Sequence, residues 1–82
     1  MRKEDLIFKI DKYIEETKDE FDIPFTDYQV DYLSACENIL EVAKRSESYE
    51  QFKKILNERI DETDVKDAWD NAALDILKYL EE

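Results

Sequence analysis

The chain has no glycine and no histidine, one proline, one cysteine, and no lysine or arginine between Asp19 and Ala43. Each absence removes a class of structure or chemistry. Tight β-hairpins rely on glycine at positive φ, so a glycine-free sequence argues against them. Glycine-rich phosphate loops go for the same reason. Without histidine there is no zinc site of the common Cys/His type, no Glu-x-x-His di-metal core and no imidazole base. The lone Cys36 cannot form an intramolecular disulfide.

What remains is 82 residues at net charge −11, with 43% apolar and 43% charged residues. That is one domain at the small end of what folds alone, without a visible staple. The apolar fraction is too high and too periodic for a disordered acidic tail. No stretch approaches a membrane span. Met1 to Asp5 runs into a mixed, charged helical pattern, so no secretory signal is expected. A lone thiol and no export signal fit the cytoplasm.

Periodicity predicts an all-α fold, a small antiparallel helical bundle of four helices at about 3–20, 27–45, 49–60 and 65–80. On the first helix Leu6, Ile7, Ile10, Tyr13, Ile14, Thr17 and Phe21 share a face. Pro24 forces a loop after it. Thr26 with Gln29 forms a capping-box pattern, and Ser48 with Gln51 repeats it. The second helix has a wide apolar face that includes Tyr28, Tyr32, Ala35, Cys36 and Ile39. Tyr49, Phe52, Ile55, Leu56 and Ile60 mark the core face of the third helix. Thr63 or Asp64 is expected to cap the fourth, whose core face runs from Val65 to Leu80, with Trp69 as a large anchor among Ala68, Ala72 and Ala73. A three-helix alternative fuses the last two helices across Asp61 to Thr63.

Enzyme machinery is poorly represented. Cys36 falls in an apolar arc with no cation nearby to activate it, which reads as a small buried hydrophobe. Asp61 to Asp64 resembles the start of a calcium loop, but Lys66 and Ala72 stand where Gly and a bidentate Glu are required. The expectation is no catalytic activity, no cofactor and no metal. Direct nucleic-acid binding requires a basic footprint, and this chain has the opposite sign. Lys44, Arg45, Lys53 and Lys54 read as a helix end and a solvated face.

The charge is segregated. Seven carboxylates fall between Asp19 and Ala43, and eight between Asp61 and Glu82 against only Lys66 and Lys78. Asp27, Asp31, Glu37 and Glu41 are expected to share the solvent side of the second helix, and Asp67, Asp70 and Asp75 that of the fourth. Like charges at i,i+4 repel, and no cation on the second helix intervenes. Phe8, Val30 and Leu74 break the polar faces of their helices. A large apolar residue ringed by charge is what an interface anchor with a polar rim looks like.

In size and charge the chain resembles small acidic helical inhibitors, such as toxin-immunity proteins and phage-encoded antagonists of nucleic-acid enzymes, anti-CRISPR proteins among them. The resemblance implies a non-enzymatic module that binds a basic protein surface, including one that normally holds nucleic acid. The alternative is a structural protein that homodimerises through its exposed apolar residues, its acids serving solubility.

Overall fold

In a computed structural model the described residues are 1–62, 64 and 66–82. They form four helices: α1 (Lys3–Glu20), α2 (Asp27–Arg45), α3 (Tyr49–Glu62) and α4 (Ala68–Glu81). This is the small all-α helical bundle that the periodicity implies. The radius of gyration is 12.4 Å, close to the roughly 12 Å expected of a compact chain this long.

Three of the four helix starts follow from side-chain caps; α1 begins after Arg2, which makes no side-chain cap bond. At α2 the Thr26 hydroxyl accepts from the Gln29 backbone N–H at 3.1 Å, and Gln29 Oε1 accepts from the Thr26 N–H at 2.9 Å. At α3 the Ser48 hydroxyl takes the Gln51 N–H, but the Gln51 side chain reaches one residue further back, to the Glu47 N–H. Helix ends are made without glycine, and no described residue has positive φ. Instead the chain leaves α1 and α2 in extended conformation, at Phe21 and Ser46. Buried Ser46 also donates its hydroxyl back to the Val42 carbonyl at 2.7 Å, satisfying a helix-end acceptor.

α4 begins three residues later than the sequence pattern suggests. Its N-cap is Asp67, whose carboxylate accepts the Asp70 N–H at 3.0 Å while Asp70 accepts weakly from the Asp67 N–H at 3.4 Å. This reciprocal box takes the capping role expected of Asp64 and keeps α3 and α4 separate. The expected cap at Thr63 and core position at Val65 lie outside the described residues.

α2 and α4 share the largest interface, with α1 and α3 on their flanks. In a square up-down bundle these two helices would be diagonal neighbours. Small side chains allow the close approach: Ala35, Cys36, Ala72 and Ala73 are all buried. α1 runs antiparallel to α4, since Phe8 lies near Glu82, Tyr13 against Tyr79 and Thr17 near Asp75. Among the described residues Phe52 is the largest fully buried side chain, in one core cluster with Leu6, Ile10, Ile39, Leu56 and Ile76. Burying a side chain of this kind contributes about 1.5–3 kcal/mol.

Trp69 is not the central anchor expected of it. It sits in the first turn of the late-starting α4, so it reaches only the edge of the core and is half-buried. The Arg59 guanidinium covers its outer face, 3.9 Å from the ring centroid. Ile55 and Tyr28, also assigned inward by periodicity, are exposed.

Candidate partner-binding surface

The corner between α1 and α2 is built around Phe21. Its ring meets Phe25 edge-on at 6.3 Å and Tyr32 at 6.1 Å. The Thr26 capping box then fixes where α2 starts, and with it the direction of each side chain in the first turns. Ile23, at 87% exposed, and Phe25, Tyr28 and Val30 face solvent here. Between them stand Asp19, Glu20, Asp22, Asp27 and Asp31, all exposed. Among the described residues none of these five carboxylates is in an ion pair; the pairs formed are Lys12–Glu16, Lys18–Glu37, Lys44–Glu41, Lys53–Glu81 and Lys54–Glu58.

The acidic residues expected to act together therefore fall into separate groups. Asp27 and Asp31 are uncompensated members of the corner. Glu37 is met by Lys18 of α1 at 3.7 Å, and Glu41 by Lys44 at 3.4 Å. The first cation comes from a different helix, which periodicity along α2 alone does not reveal. Asp31 and Asp67 line one shallow groove where α4 starts beside α2, with Trp69 at its end. The Asp67 carboxyl is held below its ordinary range, chiefly by the Asp70 backbone N–H.

Asp70 does not belong to the solvent-facing set, being only 1% exposed. As the third residue of its helix it folds back to the cap, which turns the carboxylate inward. The apolar candidates lie on three different helices: Phe8, 68% exposed, is on α1 near Tyr79, while Val30 and Leu74 stand exposed on α2 and α4.

A second feature was not apparent from the sequence. Tyr13, Tyr28, Tyr32 and Tyr79 converge with Phe21 on a groove of about 450 Å³ between α1, α2 and α4. Glu16, Glu20 and Asp75 supply its acidic wall. Tyr32 donates to Asp75 Oδ2 at 2.6 Å. A phenol has one proton to give, so in the 2.6 Å contact between the two hydroxyls Tyr13 is the donor and Tyr32 the acceptor. Tyr28 accepts from the Asn71 amide at 2.9 Å. Burial, reinforced by the Asp75 carboxylate, pushes the Tyr32 hydroxyl well above its ordinary range. Burial raises Tyr13 as well. The available signal was the use of Tyr rather than Phe at core positions, since a buried phenol needs a polar partner.

Cys36 is fully buried, and desolvation, followed by the nearby Asp75 and Glu37 charges, pushes its thiol up to about 12. Among the described residues no group of three or more acidic or cysteine side chains is placed to hold a metal ion, and no helix is long and apolar enough to cross a membrane. No protein-family model, curated protein or solved structure matches the chain.

Proposed function

We propose that this protein is a non-enzymatic binding module whose acidic α1–α2 corner engages a basic surface of a partner protein in the cytoplasm. The observation that carries this reading is the corner itself. Five carboxylates without a cation, from Asp19 to Asp31, are interleaved with exposed Ile23, Phe25, Tyr28 and Val30. An apolar centre with a charged rim is the usual anatomy of an interface, and rim charge of one sign speeds encounter with a partner of the other. A basic surface that normally holds nucleic acid is the natural target. The role is then that of an inhibitor, immunity protein or phage antagonist acting as a nucleic-acid mimic.

The test is charge reversal on the partner captured from the native host. Asp22→Lys with Asp31→Lys is expected to slow association by about tenfold or more and flatten its salt dependence. Glu47→Lys in the α2–α3 loop with Glu50→Lys in the first turn of α3 is the control and is expected to leave the rate nearly unchanged. Equal rates and equal salt slopes for the two variants would assign the corner acids to solubility alone. A second reading, homodimerisation, is favoured by the exposure of Phe8 beside the Tyr79 side chain. Sedimentation as a monomer at high micromolar concentration removes it.

A further inference from the structure

Among the described residues, aromatic rings and carboxylates meet at three sites beyond the outer corner, and at two of them a cation of the same chain is already seated. Arg59 lies over Trp69 at 3.9 Å, and its charge reaches the Asp67 carboxylate. Lys53 stands 5.6 Å from the centre of the Tyr49 ring and 3.0 Å from Glu81. The third place is the tyrosine groove, and no lysine or arginine lines it. Of the groove's carboxylates Glu16 is in an ion pair, with Lys12 at 4.0 Å. Glu20 has no ion-pair partner among the described residues, and Asp75 accepts only the Tyr32 hydroxyl.

We propose that this groove receives an arginine side chain of the partner, its guanidinium plane against the tyrosine rings and its N–H groups on Asp75 and Glu20. This inference rests on the protein-binding reading above and names the chemistry of its contact. Aromatic faces and carboxylates both attract a cation. Guanidinium suits the site better than ammonium because it is flat, weakly hydrated and carries donors in a fixed fork. The groove volume of about 450 Å³ lies in the range of ligand-binding clefts. Phosphate and other anions are repelled by the same wall. The Tyr13–Tyr32–Asp75 chain holds one carboxylate in place before the guest arrives, so less ordering is required on binding.

The experiment uses a short peptide of alternating arginine and glycine, with lysine and citrulline versions, and follows the aromatic and backbone amide NMR resonances of the intact protein at low ionic strength. The arginine peptide is expected to shift the ring signals of Tyr13, Tyr28, Tyr32 and Tyr79 saturably, and to bind more tightly than the lysine peptide. Citrulline, which is neutral, is expected to leave them unmoved. Glu20→Gln with Tyr28→Ala changes two exposed side chains and preserves the fold, checked by circular dichroism. It is expected to weaken the arginine peptide by about tenfold, whereas Asp27→Asn with Asp31→Asn changes it by less than about twofold. Arginine-peptide shifts confined to the corner acids, with the tyrosine rings unmoved, overturn the groove assignment and leave the acidic-corner reading intact. Equal binding of the arginine and lysine peptides overturns the guanidinium assignment. If neither peptide shifts any resonance, both readings fall.

Discussion

Tyr32 of α2 donates a 2.6 Å hydrogen bond to Asp75 of α4, and this bond ties together the two helices that share the largest interface. Through Tyr13 the same chain reaches α1. This polar chain thus links three helices beside the apolar core cluster. Hydrogen bonds to a charged acceptor contribute about 1.5–3 kcal/mol when buried. Here Asp75 itself is exposed and regains water when its donor is lost.

Tyr32→Phe is accordingly expected to cost about 1 kcal/mol, less than a buried cavity mutation. Its second effect concerns pH. Folding raises the Tyr13 and Tyr32 pKa above the ordinary value of 10.0. Their contribution to stability is complete below that pH. It is lost above it, as the unfolded chain gains phenolate that the folded chain resists. Wild type is expected to unfold progressively above about pH 10, with the phenolate absorbance of these two residues appearing together with loss of helicity. Tyr32→Phe should blunt that alkaline transition. Complete phenolate formation before any change in the far-ultraviolet spectrum would contradict this account.

The second prediction concerns which aromatic residue dominates the core. Phe52 is 0% exposed, whereas Trp69 is half-buried and lined on its outer side by Arg59. Phe52→Ala is expected to cost about 4 kcal/mol, and Trp69→Ala about 2–3, despite the larger side chain removed. A domain of this size has little more than about 5 kcal/mol in hand, so Phe52→Ala should be left only marginally stable at 25 °C and melt well below Trp69→Ala. Urea titrations of the two variants check the order.

Much of this architecture was legible because local rules and tertiary packing agree. The bounds of α1 and α2 follow from the Leu6–Ile10–Ile14 stripe, from Pro24 and from the Thr26–Gln29 box. At α4 two acid-rich starts compete, and the pattern at Asp64 is as good as that at Asp67. Only the reciprocal bonds of Asp67 and Asp70 decide between them. The same bonds turn Asp70 inward, whereas a helical wheel places it outside. The acidic corner was half legible. The missing cations around Asp27 and Asp31 are visible in the sequence. The pairing of Glu37 with Lys18 is not, because it depends on which helix lies alongside. Ile23 and Phe25 flank Pro24, and a short loop cannot turn all its apolar side chains inward, so their exposure was available in principle.

Cys36 provides a third prediction. It is fully buried beside α4, and its pKa is pushed up to about 12, chiefly by desolvation. The folded protein is expected to resist a disulfide reagent at pH 8 and to react at once in denaturant. The measured rate should follow the global unfolding equilibrium across a urea series. Fast labelling of the native protein, independent of urea, would place the thiol at the surface and contradict the burial described.

The last prediction separates three acids that look alike on the helical wheel of α2. Asp27 lies in the first turn, where the helix dipole favours negative charge. Asp31 has no cation near enough to pair among the described residues, and Glu37 faces Lys18 at 3.7 Å. Lysine at each position therefore has a different consequence. Asp27→Lys places a cation at the positive end of the dipole and is expected to destabilise by about 0.5 kcal/mol. Glu37→Lys exchanges an attraction for a repulsion with Lys18 and should cost a similar amount or less, since the pair is exposed. Asp31→Lys removes like-charge repulsion with Asp27, so stability should hold or rise by a few tenths of a kcal/mol. Thermal melts at low salt should rank the variants with Asp31→Lys highest, and added salt should shrink the differences. If all three raise the melting temperature equally, the acids on α2 act through net charge alone, and the local pairing described for each of them has no energetic weight.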